Sequence, residues 1–186
     1  MSTPSASHGF MLEVKLQFVR PTVSRTLEFA SSMTFLELHQ TLQLAMGWED
    51  THLFEFTHRK ITVVSPDDDV PASTTTWIAD QHTVAGWDLQ PGDTFVYRYD
   101  FGDDWVHEIR IVRATSEPLS RPHVLSGEGA CPPDDVGGPP GYEAFLEIMA
   151  DPKHPEHHDY KAWSRGRFVP QFDVAAANRR LAKKFR

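Results

Sequence analysis

The sequence predicts an α+β fold: a mixed or antiparallel sheet with a β-grasp-like N-terminal half, a central aromatic hairpin and C-terminal helices. Three observations predict it. The chain opens on two alternating segments followed by a capped amphipathic segment, the order hairpin then helix. A second pair of alternating segments, rich in aromatic residues, occupies the middle of the chain. After residue 113 the texture changes to Pro, Gly and Ser, and the apolar spacing then becomes helical.

Residues 1–9 are polar and predict a flexible N-terminus, leaving 10–186 as a single domain that is sheet-rich to about residue 113. From Phe10, Leu12, Val14, Leu16 and Phe18 alternate with Glu13, Lys15 and Gln17, a strand with one apolar face that Pro21 ends. Val23 to Phe29 reads as its hairpin partner. Thr34 to Met46 reads as a helix: Thr34 and Glu37 have capping-box spacing, Phe35, Leu38, Leu42 and Ala45 trace one face, and Gly47 is placed to stop it. His39 lies beside that face, which predicts burial against the sheet. Trp48 to Phe56 leads into a third strand, and Ser65 to Thr76 reads as a loop. Ser116 to Gly141 predicts a wrap over the sheet or a site-building loop, too rich in Pro and Gly for helix. Tyr142, Phe145, Leu146 and Met149 then fall at helical spacing over 139–149, and Asp173 to Phe185 reads as a final helix with a basic tip.

The central hairpin admits two registers. A two-residue Gly102-Asp103 loop sets Arg98 opposite His107 and Asp100 opposite Trp105, mixing polar and apolar groups. A three-residue loop from Gly102 to Asp104 sets Phe101 opposite Trp105, Tyr99 opposite His107 and Arg98 opposite Glu108. The second gives one aromatic and aliphatic face interrupted only by His107, so the buried pattern favours it.

A formal charge of −8 argues against general nucleic-acid binding, since phosphate affinity comes from clustered cations. One cysteine excludes an internal disulfide framework and suits a reducing compartment. No run approaches the length of a membrane span and no apolar signal core opens the chain, so the expectation is a soluble cytoplasmic protein without membrane contact.

The chemistry of the chain concentrates in the hairpin and in an acidic echo further on. Asp100, Asp103, Asp104 and His107 offer oxygen and imidazole ligands, Asp134 and Asp135 add carboxylates from the Pro-rich loop, and His52 could close the set. A divalent metal there (Mg, Mn or Zn) would polarise a phosphoryl or carbonyl oxygen and activate water. The structural alternative is turn chemistry, with aspartates bonding nearby amides. Cys131 is a poor nucleophile candidate, because Pro132 and Pro133 supply no amides to stabilise a thiolate. His154, His157 and His158 suit a solvated helix start better than a metal site. Trp48, Trp87 and Trp105 are candidate exposed aromatics for a protein partner. Arg179, Arg180, Lys183 and Lys184, with the terminal Arg186, could make a limited nucleic-acid contact or simply complement the helix dipole.

The run Tyr97-Arg98-Tyr99-Asp100-Phe101-Gly102-Asp103-Asp104-Trp105-Val106-His107-Glu108-Ile109, with Cys131-Pro132-Pro133-Asp134-Asp135-Val136-Gly137-Gly138, resembles the plasmid pRi ORF-3-like family. Gly47-Trp48-Glu49-Asp50-Thr51-His52-Leu53 and Phe172-Asp173 with Asn178 extend the likeness over residues 10–181. The resemblance implies an α+β domain of bacteria, archaea and mobile elements, some members travelling with insertion sequences under a resolvase-like (TnpR-like) label. Neither a serine nucleophile backed by arginines nor a tyrosine with an Arg/His set stands out here. Phe54 stands where related proteins often carry a second histidine, which weakens a metal role. The functional expectation is an uncharacterised accessory or binding module, with a metal-dependent nuclease or phosphoesterase as the alternative.

Overall fold

The computed structural model describes residues 8–116, 119–164 and 168–186. Its strands are β1 (Gly9–Leu16), β2 (Ser24–Ala30), β3 (Phe54–His58), β4 (Ile61–Val64), β5 (Thr76–Ile78), β6 (Thr94–Tyr99), β7 (Trp105–Thr115) and β8 (His123–Glu128). The helices are α1 (Phe35–Met46), α2 (Gly138–Ala150), α3 (His157–Trp163) and α4 (Val174–Lys184). All eight strands join one sheet in the order β5-β4-β3-β6-β7-β1-β2-β8. Every pairing is antiparallel except β4 with β5. Of the polar N-terminal segment, residues 1–7 lie outside the described residues, and Gly9 already belongs to β1.

The α+β class therefore holds, with the opening hairpin and α1 in place. The β-grasp-like arrangement does not follow from them. β3 does not join the hairpin; β6 and β7 stand between it and β1, and β1 pairs with β7 antiparallel. The strand β8 arises within the Pro/Gly-rich stretch read as a wrap. Its residues alternate only weakly in burial because β8 is an edge, where the sheet needs just Val124 inside. β4 and β5 were hidden for a similar reason: they are short and half-buried.

One face of the sheet makes the core and the other faces water, the arrangement expected of an antiparallel sheet. Leu12, Leu27, Phe56, Tyr97, Trp105 and Ile109 point inward, with Phe35, Leu38 and Leu42 of α1 buried in the same core. The outer face carries cross-strand ion pairs, Glu13 with Arg110 and Glu28 with Arg113. Ion pairs open to water in this way add little stability.

The central hairpin has the predicted faces but neither predicted loop. Tyr99 pairs with Trp105 and Tyr97 with His107, so five residues, Asp100–Asp104, form the turn. Arg98 stands opposite Val106 rather than Glu108, and Phe101 leaves the strand to become 39% exposed. Parity is preserved because burial dictates it; loop length is not. The turn is set by Asp100, whose Oδ1 accepts from the Gly102 and Asp103 amides at 2.9 and 3.3 Å and whose carbonyl accepts from Asp104 N at 2.7 Å. Asp100 and Asp104 both take left-handed backbone (φ 57 each), which Asp tolerates better than most residues. Arg98 bonds Asp104 across the turn.

The α1 capping box is complete: Thr34 Oγ1 accepts from Glu37 N at 3.1 Å and Glu37 Oε2 accepts from Thr34 N at 2.8 Å. Replacing Thr34 by Ala should lower the unfolding free energy by about 1 kcal/mol in urea titrations, with an unchanged m-value.

Candidate functional site

The α1–β3 connection and the 129–137 loop converge on the β6–β7 turn, through His52 on Asp100 and Gly137 on Asp103. Gly47 ends α1 in left-handed backbone (φ 117), and its amide donates to Gln43 O at 2.7 Å. The chain then delivers Trp48 into the core, 5% exposed, with its ring 5.0 Å from Tyr99 and edge-on to His107 at 5.3 Å. Trp48 Nε1 donates to Pro132 O at 2.9 Å, tying the Pro-rich loop to the α1–β3 connection.

Around this tie lies a cleft of about 830 Å³, bordered by Trp48, His52, Asp134 and Asp135 and by Arg25 and Arg180. At its edge, His52 Nε2 lies 3.3 Å from Asp135 Oδ1 and, toward the turn, 3.6 Å from Asp100 Oδ2. One ligand atom from each of these three residues falls within 4.8 Å of the others, and His52 Nε2 is buried with no hydrogen-bond partner among the described residues. Their donor set, one imidazole and two carboxylates, suits manganese or zinc better than magnesium.

The other expected ligands have different work. Asp103 Oδ2 accepts from Gly137 N at 3.2 Å, and Gly138 comes so close that a Cβ there would meet Asp103 O at 2.6 Å. Asp104 pairs with Arg98. Asp134 accepts from Tyr99 OH and Glu49 N, both at 3.4 Å, and burial pushes its carboxyl up from the usual carboxylate range. His107 is fully buried, with Nδ1 3.3 Å from Tyr97 O, and burial pushes its imidazole down to about 3. It is a core histidine, as its inward parity requires, and is not among the residues that gather around His52.

The aromatic surface expected from the tryptophans is absent from these positions: Trp48, Trp87 and Trp105 are at most 5% exposed. Their bulk is needed to fill the space between sheet and connections. On α4, Asp173 caps the N-terminus by accepting from Ala176 N at 3.0 Å, and Lys183 and Lys184 sit in the last turn, where cations favour the dipole. Arg179 reaches back to Asp173 at 3.7 Å, and Arg180 turns inward, donating from Nε to Leu44 O at 2.9 Å. His157 Nδ1 lies 3.0 Å from Ile148 O, and His154 accepts from Glu156 N, so these histidines brace the α2–α3 connection.

Two features escaped the sequence reading. Buried Tyr97, Gln43 and His39 form a chain that ends on the half-exposed Asp50: Gln43 Nε2 donates to Tyr97 OH at 2.9 Å, Tyr97 OH lies 2.8 Å from His39 Nδ1, and His39 Nε2 lies 2.6 Å from Asp50 Oδ1. With Gln43 donating to Tyr97, the phenol donates on to Nδ1 and a neutral imidazole donates from Nε2 to the carboxylate. Burial lowers the His39 imidazole, and its hydrogen bond lowers the Asp50 carboxyl. The second feature is Arg25, 1% exposed. Its signal was present: Arg25 shares parity with Leu27 and Phe29, the inward face of its strand.

A one-sided, eight-stranded sheet carrying a half-acidic, half-basic cleft defines an α+β protein with a ligand-sized site. The chain belongs to the plasmid pRiA4b ORF-3-like protein family, whose pattern matches residues 8–180. It is 37% identical over 174 residues to the uncharacterized protein y4hQ of Sinorhizobium fredii (strain NBRC 101917 / NGR234), covering 90% of this chain and 84% of that one. It also resembles the crystal structure of a protein of unknown function, MM3350 from Methanosarcina mazei Go1, with a TM-score of 0.77, 27% identity, and 90% and 96% of the two chains covered. Among the described residues no helix is long and apolar enough to cross a membrane.

The depressed His107 imidazole has a pH signature. Its folded value lies near 3 against 6.5 for the free side chain, so between these the unfolded chain binds a proton that the folded chain does not. Stability from this group is complete above about pH 6.5 and declines as pH falls towards about 3. Urea titrations between pH 7 and pH 4 should show a slope shallower by up to about 1.4 kcal/mol per pH unit in His107→Gln than in the parent. Parallel slopes would assign the acid sensitivity to other groups.

Proposed function

We propose that this protein is a ligand-binding accessory module whose working part is the cleft, and that His52, Asp100 and Asp135 hold a divalent cation at its acidic end. The observation that carries this is the convergence of three ligand atoms within 4.8 Å from segments far apart in the chain. Asp100 is held by the turn it organises, and so would bring a fixed oxygen to the cation. Asp135 is exposed and adjustable, and His52 presents Nε2 between the two. With three protein ligands, the affinity expected is that of a site completed by water or ligand.

A metal-dependent hydrolase is the second reading, favoured by those open positions. There the cation would supply Lewis acidity toward a phosphoryl or carbonyl oxygen and a more acidic bound water. This chain's contribution would be to orient the substrate along the cleft, with Asp134 as the proton-handling group, held by the Tyr99 hydroxyl that donates to it. The reading extends to a cytoplasmic protein, with Cys131 a free thiol, and to carriage on plasmids or insertion sequences. A protein partner or a limited nucleic-acid contact through Arg179, Lys183 and Lys184 belongs to the same accessory role.

Elemental analysis after manganese or zinc loading and dialysis tests the cation. Near-stoichiometric metal is expected in the parent, with loss in Asp135→Asn and His52→Ala and none in Asp104→Asn. Equal metal content in the parent and folded Asp135→Asn would sink the site. Metal-dependent turnover of a generic phosphomonoester would favour the hydrolase; metal binding without it would favour the binding module.

A further inference from the structure

Arg25 is a buried guanidinium without an ion-pair partner among the described residues. Its Nε donates to Ala45 O at 3.0 Å, and its Nη1 donates to Ser24 O and Glu128 O, both at 2.7 Å, and to Gly129 O at 3.3 Å. Phe172 stacks on the guanidinium at 3.6 Å. Its Nη2 is buried and has no hydrogen-bond partner among the described residues. Such an unmatched donor on a desolvated cation is destabilising, and retaining it calls for a compensating partner.

Part of this arrangement is structural. Arg25 and Arg180 meet consecutive carbonyls, Ala45 O and Leu44 O, in the last turn of α1, which has no basic residue of its own there. Capping that helix end uses the two Nε atoms. It leaves Arg25 Nη2 and the outer nitrogens of Arg180 over, and both side chains border the cleft. Arg180 is near enough to Arg25 to help depress it, and Arg25 is lowered to about 10, chiefly by burial. Cys131 stands within electrostatic reach of Arg25, Arg180 and Asp134, and burial pushes its thiol up, so no thiolate supplies the missing anion.

We infer that Arg25 and Arg180 form the recognition site for an oxyanion, a phosphate or carboxylate group carried by the ligand of this cleft. Guanidinium N–H donors match the oxygens of either group, and Arg25 Nη2 together with the outer nitrogens of Arg180 supplies donors from two side chains that border one cleft. The same cleft is lined by Asp134, Asp135 and Asp173 in a chain of net charge −8, so attraction of an anion there depends on these two arginines. The inference rests on the cleft being the binding site, but not on the cation at His52.

Calorimetric titration of the full chain with inorganic phosphate, at low ionic strength and with a chelator present, tests it. Saturable binding is expected in the parent. Arg180→Gln should weaken it by about tenfold or more, the scale of a lost charge-assisted contact. Lys15→Gln, an exposed cation on the outer face of β1, should bind as the parent does. Arg25→Lys should also weaken binding; where that variant does not fold, Arg180→Gln decides alone. Saturation by acetate rather than phosphate would assign the site to carboxylates and supports the inference. Unchanged phosphate affinity in Arg180→Gln, or no saturable binding of either anion, overturns it. Phosphate binding that needs manganese and ignores Arg180→Gln also overturns it, while supporting the cation site.

Discussion

The pairing of Tyr99 with Trp105 is the constraint on which the rest depends. It fixes the β6–β7 turn at five residues, and the turn makes Asp100 the residue whose side chain caps its own loop. One oxygen of Asp100 is occupied there, which directs the other toward His52. The same pairing places Tyr99 under Trp48, and Trp48 in turn holds Pro132. Pulling the Pro-rich loop to this point brings Asp134 and Asp135 alongside the acidic turn. Asp103 completes the seam by accepting from Gly137 N. Sheet register, loop position and candidate site are thus consequences of one cross-strand contact.

The inner face of the sheet also has to accommodate polar groups that cannot reach water. His39 resolves this through Tyr97, Gln43 and Asp50, a chain that carries the buried imidazole's bonds to a half-exposed carboxylate. His107 finds a carbonyl for one nitrogen only. Arg25 satisfies Nε and Nη1 with carbonyls and leaves Nη2 over. Burial makes each leftover polar atom expensive, and of these three residues only Arg25 is a permanent cation bordering a cleft. That difference separates a packing histidine from a candidate recognition residue.

Much of the fold was legible because burial writes a periodic pattern. The faces of β1, β2, β6 and β7 and the limits of α1 and α4 followed from alternation, capping residues and stop glycines. Loop length in the central hairpin was not legible. Shifting the pairing by two residues keeps every side chain on its face, so the hydrophobic pattern cannot choose between a three- and a five-residue loop. Edge strands such as β5 and β8 were equally silent, since half-buried positions impose little alternation. Of the candidate ligands, composition could nominate seven residues but not rank them; the turn geometry selected Asp100, and the Pro-rich loop selected Asp135 over Asp134.

What the sequence by itself determined is the class of the protein and its two-faced sheet, because residue periodicity and capping are local properties of the chain. Membership of the plasmid pRiA4b ORF-3-like family was legible on the same local runs. Only the tertiary structure decided which strands are neighbours, since β1 meets β7 across most of the chain. It alone brought His52 to Asp100 and Asp135, and turned Arg180 toward Arg25. The physical reason is that a site is made of distances between residues remote in sequence, and those distances are set by how buried surfaces pack, which no local pattern encodes.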